Sequence, residues 1–241
     1  MWMICLKEWR QFFSSLTGYI AIIIFLLLFG LFLFVFPATA ILDFGYASLY
    51  NYFSIAPFIL LFLIPTITMR SVAEEYKGGT FEIIKTLPIT SGEIVWGKYL
   101  GCFLIVLIAL IPTVLYSISI QYLSVRGGID LGALIGSYIG LFMLAGVFTA
   151  VGICTSSFTN NTIVAFIVAA FICFILFSGF NEISKLPGLA NSGMDYYIEM
   201  LGIDYHYKNI SRGIIDSRDV IYFTATIILF IFITQRQVEM R

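Results

Sequence analysis

Charge is what this sequence has least of. Asp, Glu, Lys and Arg make up 11% of its 241 residues, against about 25% in a soluble domain. So few ionic groups cannot dress a water-facing surface of this size, so the bilayer must be the main solvent. Histidine is nearly absent, with His206 the only copy, and the four cysteines show no paired spacing. Neither a zinc site nor a disulfide framework is expected from such a set. Cys5, Cys102, Cys154 and Cys173 lie in or beside apolar runs and read as buried thiols. A net charge of -1 gives no basis for nucleic-acid affinity. Internal repeats, low-complexity tracts and domain linkers are also missing, so residues 1–241 read as one domain.

What the chain has instead is apolar length. Residues are 60% hydrophobic, with 24 Phe and 14 Tyr. Six stretches approach or exceed the roughly 20 residues a spanning helix needs: Gly18–Phe36, Tyr52–Met69, Tyr99–Gln121, Leu131–Ser156, Thr162–Phe180 and Val220–Thr234. None contains Asp, Glu, Lys, Arg or His. Backbone groups in lipid must be bonded within their own segment, so the spans must be helices and the fold all-α. Pro57, Pro65 and Pro112 fall inside the second and third spans, where kinks are expected. Lys7 and Arg10 precede the first span, Arg70, Lys77, Lys85 and Lys98 follow the second, and Arg236 and Arg241 follow the sixth. Of the short loops on the other face, only the second has a basic residue, Arg126. This bias places both termini in the cytoplasm and the first, third and fifth loops outside. The long external segment, residues 181–219, is too small for a core of its own and is expected to pack over the membrane domain.

Two segments outside the spans carry more information. In residues 1–16, Trp2, Cys5, Trp9, Phe12, Phe13 and Leu16 recur at helical spacing, with Lys7, Glu8, Arg10, Gln11, Ser14 and Ser15 on the other face. This pattern predicts an amphipathic helix in the interface, its tryptophans at headgroup depth. A cleavable signal ending at Ala38-Thr39-Ala40 is the alternative, but its apolar region would exceed the usual 7–15 residues, so Trp2 is expected to be retained. The loop 70–98 contains Glu74, Glu75, Tyr76 and Lys77, then Gly78-Gly79, then Thr80, Phe81, Glu82 and Ile84, running on to Leu87 and Pro88. Val72 and Tyr76 share one helical face, and Phe81 and Ile84 another. The pattern predicts two short amphipathic helices hinged at the glycines. Thr90-Ser91-Gly92-Glu93 reads as a capping box opening the third membrane helix. Gly92, Gly97 and Lys98 match part of a phosphate-loop motif, but Tyr99 stands where the Ser or Thr should be, and the motif runs into a membrane helix. No cofactor is expected.

With these segments in view, the chain resembles the permease subunit of ABC-2 type exporters. The resemblance rests on the interfacial helix, on Glu75-Tyr76-Lys77-Gly78-Gly79-Thr80-Phe81-Glu82 and Leu87-Pro88-Ile89-Thr90 leading into Gly97-Lys98, and on six spans with a long last external segment. More narrowly, Ser211–Val220 is similar to the start of the sixth helix in gliding-motility-associated permeases. The resemblance implies a bacterial inner-membrane protein and a pair of membrane subunits, identical or related. It also implies a separate cytoplasmic ATPase docked on the 74–87 loop, which becomes a coupling loop. On that reading the chain is no enzyme itself. A secondary transporter would ordinarily carry an ionisable group inside the membrane, which these spans lack. A structural anchor without transport remains the other alternative. If the loop is an exposed docking surface, Glu75→Lys and Phe81→Ala should spare insertion but weaken ATPase recruitment.

Overall fold

The computed structural model describes residues 1–36, 49–86, 88–124, 130–186 and 194–241. Ala38-Thr39-Ala40, Leu87 and Arg126 lie outside the described residues. Six helices are long and apolar enough to cross a membrane, as the apolar runs predict, and the described residues contain no strand.

The chain opens with α1 (Trp2–Ser14) and turns at extended Ser15 into α2 (Leu16–Phe34). The Ser15 hydroxyl accepts from Gly18 N–H and caps α2. Next come α3 (Tyr50–Thr68), two short helices α4 (Ala73–Lys77) and α5 (Thr80–Lys85), and α6 (Ser91–Leu110). The capping box at Thr90 and Glu93 forms as expected. Pro112 interrupts the third span with a 3₁₀ turn at Ile111–Thr113 before α7 (Val114–Leu123), because it offers no N–H to the preceding turn. Pro57 and Pro65, by contrast, sit within an unbroken α3. Then follow α8 (Leu131–Phe158), α9 (Thr162–Phe174), a π-helical turn at Ile175–Gly179 and α10 (Phe180–Ser184). The chain ends with α11 (Met194–Met200), α12 (Ile203–Ser211) and α13 (Ser217–Met240).

The core forms around α8. Its 28 residues carry no charge, and α3, α6, α9, α12 and α13 all pack on it. Two-thirds of the apolar window is buried in both α3 and α8, but only 22% in α2, α9 and α13. The first pair is therefore central and the other three present apolar sides outward, as expected where lipid replaces water. Small residues set the closest approaches. A Cβ on Gly136 would lie 2.5 Å from the Ile210 carbonyl oxygen, and one on Gly152 would collide with the Thr68 hydroxyl.

At the end of the molecule opposite α1, α12 lies over the membrane helices and is pinned by polar contacts. Tyr207 Oη donates to the Phe53 carbonyl at 2.7 Å, and Tyr222 Oη to the Leu201 carbonyl at 2.6 Å. Burial pushes the Tyr207 phenol well above its ordinary range, so it stays a donor. His206 Nδ1 lies 2.6 Å from Asp219 and Nε2 2.9 Å from the Met200 carbonyl, and the ring stacks on Tyr222. The lone histidine thus locks α12 to the last span. A cavity of about 970 Å³ opens beneath α12, walled by Phe53, Phe58 and Phe177 and rimmed by Glu199, Asp204 and Lys208.

Candidate functional site

The other end of the molecule carries the segments singled out above. Here α1 lies across α6, and what lets it do so is the absence of side chains. A Cβ on Gly97 would stand 2.8 Å from the Met1 carbonyl oxygen, and one on Gly101 would stand 2.8 Å from Glu8 Cβ. The Gly97-x-x-x-Gly101 spacing puts both glycines on one face of α6, and that groove receives α1.

Glu8, assigned by the sequence pattern to the polar face of α1, is buried, on a stripe with Cys5. The correction has an electrostatic reason. Lys98, 1% exposed, projects from α6, with its Nζ 2.7 Å from Glu8 Oε1 and 2.7 Å from Glu75 Oε2. It also donates to the Ser71 carbonyl. Lys98 thus donates hydrogen bonds to Glu8 and to the Ser71 carbonyl and forms an ion pair with Glu75. Lys7 pairs with Glu75 from the solvent side. Two amines and two carboxylates from α1, α4 and α6 thus form one neutral network. Charge neutrality, with each ion paired at close range, is what allows these charges to be buried. Of the α1 aromatics, Trp2 is 63% exposed. Trp9, Phe12 and Phe13 are half-buried, with Trp9 and Phe13 rings 5.0 Å apart. Leu16 is 75% exposed, so it does not extend the protein-facing stripe.

A second anchor holds the start of α4. The buried Ser156 hydroxyl, on α8, accepts from Val72 N–H at 3.2 Å and Ala73 N–H at 3.0 Å, and donates to the Met69 carbonyl at 3.0 Å. All the bonding capacity of one hydroxyl is used. Ser156→Ala should leave two buried donors unpaired, at about 1–3 kcal/mol. It should lower the thermal unfolding midpoint of the purified protein while leaving insertion intact. An unchanged midpoint would show that α4 is held by other contacts.

Gly79, at φ +69, provides the hinge between α4 and α5 that the glycine pair predicts. Beyond it the loop departs from expectation. Phe81 and Ile84 do share a face, but it points inward: Phe81 is buried, its ring 4.6 Å from that of Tyr76, and Ile84 is half-buried. Glu75 is buried too. Glu75→Lys would add a cation beside Lys7 and Lys98, and Phe81→Ala would open a cavity. Both would disturb the fold itself and could not isolate docking. The side left to solvent holds Glu74, Lys77, Gly78, Gly79, Thr80, Glu82 and Lys85, with Ile83 as its apolar centre at 66% exposed. From the far end of the chain, Arg241 lies over the Tyr76 ring at 4.7 Å and bonds Asn160 and the Phe158 carbonyl beyond α8.

Spacing and composition single out none of Glu8, Lys98, Ser156 and Gly101 as a site residue. One signal exists, since Glu8 interrupts an otherwise apolar stripe running Ile4, Cys5, Phe12. Its partner Lys98, 90 residues away, bears no such mark. Gly92, Gly97 and Lys98 form no phosphate loop: all three lie within α6. The described residues hold no metal-ligating cluster. No curated protein matches the chain. Residues 43–196, more than half of it, match the family described as ABC-2 family transporter protein.

Proposed function

The chain belongs to the ABC-2 family of transporter proteins, and on that footing we propose that it is the permease subunit of an ATP-driven exporter. A separate cytoplasmic ATPase docks on the outward side of α4 and α5 and supplies the energy. The observation that carries this reading is the attachment of α4. It continues from α3 and is bonded to α1 through Lys7, to α6 through Lys98, to α8 through Ser156 and to the α13 tail through Tyr76 and Arg241. Its other side is open. A push on that side is therefore delivered to most of the bundle at once, the requirement for rigid-body switching between two access states. Energy that arrives mechanically needs no proton relay within the spans. The Lys/Arg bias supports a cytoplasmic position for this face, and the family resemblance supports a bacterial inner membrane. A second membrane subunit, a copy of this chain or a related one, would pair with it through the apolar sides left uncovered on α2, α9 or α13.

The narrower kinship with gliding-motility permeases rests on residues 211–220 alone. In the structure this stretch ends α12 and starts α13, with Asp216 capping α13, which is a structural duty. Export is the broader reading and is preferred.

Ile83→Asp tests the docking face. An apolar anchor at the centre of an interface contributes about 2 kcal/mol or more, a loss of roughly 30-fold in affinity. The variant should insert and fold normally but co-purify with little ATPase and show no coupled turnover. Normal recovery of an active complex would defeat the proposal. In a cysteine-free background, Ile83→Cys should react with a membrane-impermeant maleimide only after permeabilisation. Reaction in intact cells would reverse the orientation.

A further inference from the structure

We propose a binding site for one phospholipid headgroup of the phosphoethanolamine class, in the wedge between the end of α1, the start of α2 and the end of α3. This cavity, about 250 Å³, lies well away from the one beneath α12. It is far larger than a single water needs and far too small for a whole lipid. Arg70, Glu74, Thr17, Ser14 and Ser15 line it.

Its chemistry is that of a zwitterion. Arg70 is half-buried at the mouth and donates from Nη1 to Thr17 Oγ1 at 2.9 Å. Among the described residues no carboxylate pairs with it. The rest of its planar donor set suits a phosphate, which guanidinium recognises in bidentate fashion. The Ser14 and Ser15 hydroxyls already donate to the Gln11 and Phe12 carbonyls, so the guanidinium is the principal donor left for the anion. One turn beyond Arg70, Glu74 is exposed and likewise lacks an ionic partner among the described residues. Glu8, the other acid in the lining, is already neutralised by Lys98. Among the described residues the cavity therefore offers one unneutralised cation and one unneutralised anion, matching a phosphate with an ammonium two carbons away. A plain phosphate would leave Glu74 repelling it. A choline would bring three methyl groups where Glu74 wants N–H donors.

The lipid source follows from the neighbouring surface. From the mouth, α2 rises with Tyr19, Ile20, Ile23, Ile24 and Leu27 all exposed. Acyl chains of a lipid whose headgroup sits on Arg70 would lie along this apolar strip. A soluble phosphoester would gain nothing from it. The site depends only on the chain being membrane-embedded. It does not depend on the export reading, and its failure would leave that reading intact.

The test uses the full chain, purified and delipidated in detergent. Native mass spectrometry and thermal unfolding are followed during titration with phosphatidylethanolamine, phosphatidylcholine or free phosphoethanolamine. One phosphatidylethanolamine should be retained and should raise the unfolding midpoint. Arg70→Gln should weaken retention about tenfold or more, the effect of losing a charge-assisted contact. Glu74→Gln should keep binding but abolish the preference over phosphatidylcholine. Arg236→Gln, on the exposed α13 tail, should change nothing, and the midpoints without lipid show whether each variant is folded. Equal retention by wild type and Arg70→Gln would overturn the site. Protection by free phosphoethanolamine equal to that by the lipid would overturn the lipid assignment.

Discussion

Lys98→Met is expected to be the most damaging single substitution in this protein. It removes the one cation shared by Glu8 and Glu75, which are 7% and 5% exposed. Lys7 remains to neutralise Glu75, but Glu8 is left ionised against α6 with no partner. Stranding a buried charge in this way costs about 3–5 kcal/mol, a large fraction of the roughly 5–15 kcal/mol stability of a typical fold. The Ser71 carbonyl loses its donor as well. The expected result is a sharp fall in membrane-extracted folded protein and a lower unfolding midpoint in what remains. The cause can be separated from simple loss of packing by removing the stranded charge. In Lys98→Met/Glu8→Gln the Lys7–Glu75 pair stays balanced and no carboxylate is orphaned. The double variant should therefore be more stable than Lys98→Met alone, although it carries one more substitution. Two residues in direct contact are expected to show a coupling of this kind. Additive losses in the double variant would mean that Lys98 acts by filling space.

The second large effect is expected at Gly101. Gly101→Leu asks the α1–α6 groove to hold a side chain where even a Cβ would stand 2.8 Å from Glu8 Cβ and 3.2 Å from the Cys5 carbonyl oxygen. Neither neighbour can retreat cheaply, because Glu8 is fixed by Lys98 and the Cys5 carbonyl is backbone. Overpacking of a tight contact costs about 1–3 kcal/mol when the surroundings adjust. Here the cheaper adjustment is for α1 to leave. Cys5 reports this directly. It is 2% exposed, and burial, with the Glu8 carboxylate next in weight, pushes its thiol above the ordinary value. Both effects suppress thiolate attack in the native state. With Cys102, Cys154 and Cys173 changed to Ala, maleimide should label Cys5 slowly in the parent and rapidly in Gly101→Leu. Equal, slow labelling would show that the groove can accommodate leucine. The displaced α1 takes Lys7 and Glu8 with it, so the same variant should also lose coupled ATPase activity.

Much of the architecture is legible in the order of the residues alone, and particular residues show why. The six spans follow from apolar content summed over about 20 consecutive residues, which needs no knowledge of neighbours. The α6 capping box is a four-residue device, and the break between α4 and α5 is one glycine with a positive φ. The interruption at Pro112 follows from a missing N–H. Each is decided within a turn or two of helix, so reading the residues in order suffices.

The side of each short helix that meets the bundle was decided elsewhere. Helical spacing places Phe81 and Ile84 together but does not say whether their face meets solvent or protein, because in a short amphipathic helix beside a membrane either answer satisfies the pattern. Only the docking of α4 and α5 against the bundle turned that face inward and left Ile83 outside. Glu8 and Glu75 look like surface acids because isolated carboxylates belong in water. They are buried because Lys98, 90 residues from Glu8 along the chain, meets both of them, and charge pairing of that kind is a property of distances in space. The sequence by itself therefore determined that this is a six-span membrane protein with a hinged helical loop on one face. The tertiary structure alone decided that the loop is bolted from within by a neutral charge network, because the free energy of a buried ion depends on its partners in space.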